Sequence, residues 1–343
     1  MKLKPILNVL GALLFLIGIT MLVPIFISIL YGENDTMGFI YSALVCTSTG
    51  APIWLLTRNN KSLSNKIGFA IVTLSWVVAA LAGALPFYLT GAIPNFTDAF
   101  FESVSGITTT GSSVISNLDN LPEGILIWRS LLQWFGGIGI IVLAMAILPT
   151  LQIGGMQLLH MEHDDPYEKT LPKINQFVIE IFLLYSFLTV LCAILYYLLG
   201  MSGFDAITHS MTTISTGGFS NHNSSFGFFN SHNIEIISIV FMIIGSLPFV
   251  VFLNFIHGDK KSIFNDDQIK LFFSILFVLV IITGFWLYYN YYSNYNLSFR
   301  LAIFNITSIL TGTGYVTTNY NLWGGFGFVI MIIIMFIGGC AGS

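Results

Sequence analysis

Charge is what this sequence has least of. Its 343 residues include 12 Lys and Arg and 16 Asp and Glu, so charged side chains make up 8% of the chain, where a soluble domain carries about 25%. So little charge excludes a water-solvated globule, and nothing in the chain points to nucleic acid as a partner. No polar stretch exceeds about 25 residues, which leaves no room for a separate soluble domain. The three cysteines, Cys46, Cys192 and Cys340, fall inside apolar segments without paired spacing. That excludes a disulfide frame or a zinc site and leaves small buried packing residues. No Ser/His pair, Asp pair or pair of metal ligands falls on facing apolar segments, so an intramembrane enzyme has no support.

What the chain has instead is apolar length: 55% of it is hydrophobic. The run Ile6 to Leu30 follows Lys2 and Lys4 and is too long for a signal-peptide core, so it reads as a retained span. Further spans are expected near 37–56, 67–90, 124–149, 175–199, 233–256 and 269–292, with a last apolar run from Leu322. An N-terminus in the cytoplasm puts Lys2, Lys4, Arg58, Lys61, Lys66, Lys169, Lys173, Lys260, Lys261 and Lys270 inside. Only Arg129 and Arg300 then fall outside, a clear positive-inside asymmetry.

Between the spans near 67–90 and 124–149 lies Asp98-Ala-Phe-Phe-Glu-Ser-Val-Ser-Gly-Ile-Thr-Thr-Thr-Gly111. About ten residues of helix rise only about 15 Å, half of a hydrocarbon core of roughly 30 Å. Such a segment enters a membrane without crossing it, and the non-helical loop after it survives only where it is walled by protein or lines a wet cavity. Two more copies align without gaps. They begin at Ala206 and Ala302, as the first does at Ala99, and each closes on a glycine 12 residues later, at Gly111, Gly218 and Gly314. Repetition at such intervals implies duplicated units around one axis, and the topology places all three loops on the external side. Loops of hydroxyls, carbonyls and glycines suit a cation that must bind and leave.

These residues resemble the Trk/Ktr/HKT superfamily of potassium transporters, most closely the bacterial Trk membrane subunit. Trp128-Arg-Ser-Leu-Leu-Gln-Trp-Phe-Gly-Gly-Ile-Gly139 and Gly338-Gly-Cys-Ala-Gly-Ser343 carry the likeness further. The resemblance implies an all-α polytopic membrane protein built of span, pore helix, filter loop and span around a pseudo-fourfold axis. It also implies K+ as cargo with no cofactor, and a location in the plasma (bacterial inner) membrane. By the same likeness, residues 1–60 form a helix pair outside the pore, and 61–150, 151–257 and 258–343 form three pore repeats. The expected K+ ligands are Thr109, Thr110 and Gly111, then Thr216, Gly217 and Gly218, then Gly312, Thr313 and Gly314. Gly338, Gly339 and Gly342 are expected to form an intramembrane gate. A homodimer in the lipid bilayer, with a cytosolic nucleotide-binding regulatory subunit, is the implied assembly. The family has four pore loops and this sequence three, so the alternative is a non-conducting or partial subunit that needs a C-terminal segment or a partner.

Several other residues carry expectations. Asp98, Glu102, Asp119, Glu123, Asp205 and Glu235 lie toward the outer side, either as an acidic vestibule or as a solvated surface. His209 is expected to be a hydrogen-bonded packing residue, and Glu180 to pair or snorkel near the cytoplasmic end. Gly136, Gly137 and Gly139 read as helix-packing glycines, since position 142 is Val and not the glycine of a dinucleotide fingerprint. His160-Met-Glu-His163 with Asp164 and Asp165 has the look of a metal site but falls in a cytoplasmic loop, and no metal role is expected.

Overall fold

In the computed structural model, residues 3–58, 65–151 and 166–338 are described, and among them every regular element is helical. Among the described residues, five helices are long and apolar enough to cross a membrane, with a sixth span if a bent pair of helices counts as one. Only 22–33% of their apolar windows is buried within the protein. Large side chains such as Phe26, Leu183, Phe187 and Phe277 face outward, as lipid-facing surfaces require. Contacts divide the chain into two units: Met1–Ile107 with Ser112–Ile179, and Thr108–Gly111 with Glu180–Ser343.

The first unit opens with α1 (Leu3–Thr20) and α2 (Leu22–Tyr31), which together form one apolar span of 29 residues. It turns at Gly32, whose φ of +73° closes α2 in the left-handed conformation that glycine adopts freely, and returns as α3 (Thr36–Leu56). Glycines set the closeness of this pair. A β-carbon at Gly11 would lie 2.7 Å from the Trp54 nitrogen, and one at Gly50 would lie 2.6 Å from the Phe15 nitrogen, so the backbones touch as in small-residue membrane interfaces. The Asn8 side-chain amide donates across the same interface to the Trp54 carbonyl at 3.0 Å. Next come α4 (Asn65–Leu89), the short α5 (Phe96–Ile107) and α6 (Glu123–Leu151). Ser103 of α5 donates to the Ala80 carbonyl at 2.7 Å, and Trp128 Nε1 of α6 donates to the Gly83 carbonyl at 3.0 Å. These two bonds fix α5 and α6 against α4.

After α7 (Pro166–Leu198), the second unit carries α8 (Gly203–Ile214), α9 (His232–Ser246), α10 (Phe249–Ile256) and α11 (Ser262–Asn265). It ends with α12 (Asp267–Leu287), α13 (Tyr295–Leu310) and α14 (Gly324–Ile337). Its core joins Leu287, Leu301, Ile306, Trp323 and Ile334. The single span expected near 233–256 is instead broken, because α9 and α10 meet at 90°. Pro248 lacks the N–H that would continue the ladder and forces Leu247 into extended backbone at ψ 150°.

Candidate functional site

Each of the three short helices begins with a polar cap. Asn95 Oδ1 accepts from Thr97 N at 2.9 Å, Ser202 Oγ from Asp205 N at 3.0 Å, and Asn294 Oδ1 from Leu297 N at 3.3 Å. With 12, 12 and 16 residues, the helices rise about 18–24 Å, too little to span. Each then gives way to its loop at the same place in the repeat, after Ile107, Ile214 and Leu310.

The loops share a backbone. In the first, φ is positive at Thr109 (55°) and Gly111 (78°); in the second, at Thr216 (51°) and Gly218 (75°); in the third, at Gly312 (78°) and Gly314 (85°). Those are the tenth and twelfth positions after the repeat's alanine in every copy. Glycine takes such angles readily, whereas a β-branched threonine does so at a cost of about 1–3 kcal/mol, held by its surroundings. The tie back to the helix also repeats, since Gly218 N donates to the Thr212 carbonyl at 3.2 Å and Gly314 N to the Ser308 carbonyl at 3.1 Å. Thr109, Thr216, Thr311 and Thr313 are buried, while Thr110, Gly312 and Gly314 are exposed. Thr108–Gly111 belongs with the second unit, which also carries the other two loops. Loops two and three meet closely: a β-carbon at Gly218 would sit 1.7 Å from the Thr313 carbonyl oxygen.

Behind each loop, a glycine of the following helix lies against the end of the short helix. A β-carbon at Gly136 would come within 2.1 Å of the Ile107 carbonyl oxygen, at Gly245 within 2.7 Å of that of Ile214, and at Gly338 within 2.8 Å of that of Leu310. The packing expected of Gly136 is therefore present, directed at the end of α5. Among the described residues, a β-carbon at Gly139 would meet nothing within 4 Å. Of the expected gate residues, Gly338 ends α14 in extended backbone, with φ −71° and ψ 161°. Gly339 and Gly342 lie outside the described residues, as do Cys340 and His160 to Asp165.

The second and third loops are bound together by a side-chain network that sequence reasoning missed. The Tyr315 hydroxyl bonds Thr212 Oγ1 at 2.5 Å and Thr213 Oγ1 at 3.2 Å, and Thr213 in turn meets the Tyr196 hydroxyl at 3.0 Å. Phe226 packs on Tyr315 with ring centres 4.2 Å apart. The only hint in the sequence was an aromatic residue directly after the third closing glycine. His209 is buried as expected, with Nδ1 on the Asp205 carbonyl at 3.0 Å and Nε2 on Ser220 Oγ at 2.9 Å.

The outer acids divide. Burial opposes ionisation of Asp205, but hydrogen bonds from His222, Asn221 and Ser202, together with nearby His209, hold its carboxyl well below the usual range. Glu102 and Glu235 fit neither a vestibule nor a solvated surface. Glu102 is buried against Arg129 at 2.9 Å, and Glu235 holds Arg300 by a fork of 2.7 and 2.9 Å. An unpaired charge at such depth would be far costlier than a paired one. Asp98 and Asp119 are exposed. Glu180 meets His257 Nε2 at 3.5 Å, the pairing expected of it. Among the described residues, no group of three His, Cys, Asp or Glu is placed to hold a metal ion.

Apolar spans, helices too short to cross, and loops of one repeated conformation define a multi-pass membrane transport protein, not an enzyme. A family model described as "Cation transport protein", TrkH, matches residues 35–343. Over its whole length the chain is 41% identical to the Trk system potassium uptake protein TrkH of Vibrio parahaemolyticus and 39% identical to that of Escherichia coli, covering 72% of each. The crystal structure of the potassium transporter TrkH from Vibrio parahaemolyticus is similar with a TM-score of 0.89 at 38% identity, over 100% of this chain and 72% of that one. The chain belongs to the TrkH family of cation transport proteins.

Proposed function

We propose that this protein takes up K+ across the plasma membrane, the inner membrane of a bacterium, through a pore whose selective part is built from the three glycine-closed loops. The ligands assigned are the oxygens of Thr109, Thr110, Gly111, Thr216, Gly217, Gly218, Gly312, Thr313 and Gly314. The observation that carries this reading is the recurrence of left-handed backbone at the same two positions of every loop. Left-handed residues on either side of an ordinary one turn successive carbonyls the same way, so that they can replace a cation's hydration shell. The short helices end beside the loops, and their C-terminal partial charge favours a cation by about 0.3–1 kcal/mol each.

On this reading, residues 1–60 stand outside the pore, while 61–150, 151–257 and 258–343 are repeats about a pseudo-fourfold axis, with the N-terminus in the cytoplasm. We assign the gate that obstructs the path to Gly338, Gly339 and Gly342. Relatives that carry the name of the Trk system support regulatory partners within such a system. We assign a homodimer and a cytosolic nucleotide-binding regulatory subunit.

The test is growth on low-K+ medium of bacteria stripped of their own K+ uptake. It compares the chain alone with the chain joined to the part of the Vibrio parahaemolyticus relative that it does not cover. Growth with at least the joined form, lost in Gly218→Ser, is the expected result. Growth restored by the joined form only would mark the chain as a partial subunit. Unaltered growth and K+/Na+ discrimination in Gly111→Ser, Gly218→Ser and Gly314→Ser would remove the loops from the selective path.

A further inference from the structure

Three chemically different side chains occupy one position of the repeat. Glu102, His209 and Asn305 each lie three residues after the repeat's alanine and nine before its closing glycine. All three are buried, with relative exposure of 0%, 1% and 0%. Each reaches across the neck of its own loop to the chain just beyond the closing glycine. Glu102 accepts from Ser113 Oγ and from Val114 N, both at 3.0 Å. His209 Nε2 meets Ser220 Oγ at 2.9 Å. Asn305 donates from Nδ2 to Thr317 Oγ1 at 2.9 Å and accepts at Oδ1 from Thr317 N at 3.4 Å. The partners Ser113, Ser220 and Thr317 lie two, two and three residues past Gly111, Gly218 and Gly314.

We propose that Glu102, His209 and Asn305 are positioning residues for cation selection: struts that close the neck of each loop and set its opening without touching the ion. This rests on the reading of the loops as the selective part of the pore. Sequence does not maintain a chemical type at this position, yet each residue present makes the same connection. The carboxylate takes Ser113 on Oε1 and Val114 on Oε2 and is balanced by Arg129 Nε on Oε1 at 2.9 Å. The imidazole uses both ring nitrogens: Nδ1–H donates to the Asp205 carbonyl, which can only accept, and Nε2 shares a hydrogen bond with the Ser220 hydroxyl. Ser220 Oγ also accepts from His222 N at 3.1 Å. The amide uses both ends on one residue. A buried hydrogen-bonding group deprived of its partner leaves an unsatisfied atom behind, so a cut strut opens the neck.

The experiment takes the purified chain in detergent, with Glu102→Ala, His209→Ala and Asn305→Ala. Because a buried change can impair folding, the outer side-chain bonds are removed separately by Ser113→Ala, Ser220→Ala and Thr317→Val, which leave the backbone bonds from Val114 N and Thr317 N in place. Amide hydrogen exchange is read over 108–114, 215–221 and 311–317. Each strut variant should raise exchange at least tenfold in its own loop, and each outer-end variant should raise it by less in the same loop, with the other two loops unchanged; no local rise in any of them overturns the proposal. The second readout is the difference in unfolding midpoint between KCl and NaCl at equal concentration. The cut struts should shrink it, while His209→Gln and Asn305→Asp, which keep an acceptor for Ser220 and Thr317, should restore it. A native chain without any KCl advantage would count against the loops as cation ligands and not against the struts. A native advantage that survives every cut would count against the struts alone.

Discussion

A single methyl group at Gly218 tests the loop geometry quantitatively. Gly218 has φ +75°, and a β-carbon there would lie 1.7 Å from the Thr313 carbonyl oxygen of the neighbouring loop. Left-handed backbone costs an ordinary residue about 1–2 kcal/mol, and overpacking adds about 1–3 kcal/mol. Gly218→Ala should therefore destabilise by about 2–5 kcal/mol, which lowers the unfolding midpoint by roughly 5–15 °C for a unit of this size. Gly312 and Gly314 provide the control. Both have positive φ, at 78° and 85°, yet a β-carbon at either meets nothing within 4 Å. Their alanine variants should lose only the conformational part, about 1–2 kcal/mol. Gly203, in a helix with open space around it, should lose nothing. The assay is thermal unfolding of the purified variants in one detergent and one salt. If Gly218→Ala melts no lower than Gly312→Ala, loops two and three do not approach as described.

Three further outcomes are expected. Gly136→Ala, whose β-carbon would meet the Ile107 carbonyl oxygen at 2.1 Å, should cost about 1–3 kcal/mol in thermal unfolding, with Gly139→Ala neutral beside it. The Glu33 carboxyl is pushed from 4.5 up to about 7 by burial and by its hydrogen bond with Glu123. The folded protein thus holds a proton that the unfolded chain releases, and stability should fall as pH rises between those values. Midpoints of the native chain at pH 5 and pH 8 should differ in that sense, and Glu33→Gln should flatten the difference; an equal slope in the variant would acquit Glu33. In a cysteine-free background, an impermeant thiol reagent applied outside cells should label Ser224→Cys and miss Lys260→Cys, and the opposite pattern would invert the orientation.

The spacing of alanine and closing glycine located all three short helices and their loops, because a half-length helix followed by hydroxyls and glycines is a local feature. Left-handed backbone at Thr109 and Thr216 was not legible in the same way. Threonine disfavours that conformation, and only the surrounding fold imposes it. Side chains that meet across long stretches of sequence were equally hidden. Tyr315 reaches Thr212 across 103 residues and Arg300 reaches Glu235 across 65, distances over which composition carries no signal. Glu102 was misjudged for that reason, since its partner Arg129 stands 27 residues on. The bend after Ser246, by contrast, was written in Leu247-Pro248 and overlooked because the apolar run continues through it.

Helix α14 stops at Gly338, and the same residue lies against the last carbonyl of α13, the helix that leads into the third loop. Where two segments share so little space, neither has a coordinate of its own. A displacement of the stop shifts the carbonyl, and whatever holds the carbonyl resists the displacement. Coupling of this kind is symmetric in free energy. Any species that favours one arrangement of the third loop favours the matching arrangement of the helix end to the same extent, and a partner that pulls on the helix end alters the affinity of the loop by that amount. Gly338 thus joins the arrangement of the third loop and that of the helix end into one equilibrium, without any relay of side chains between them.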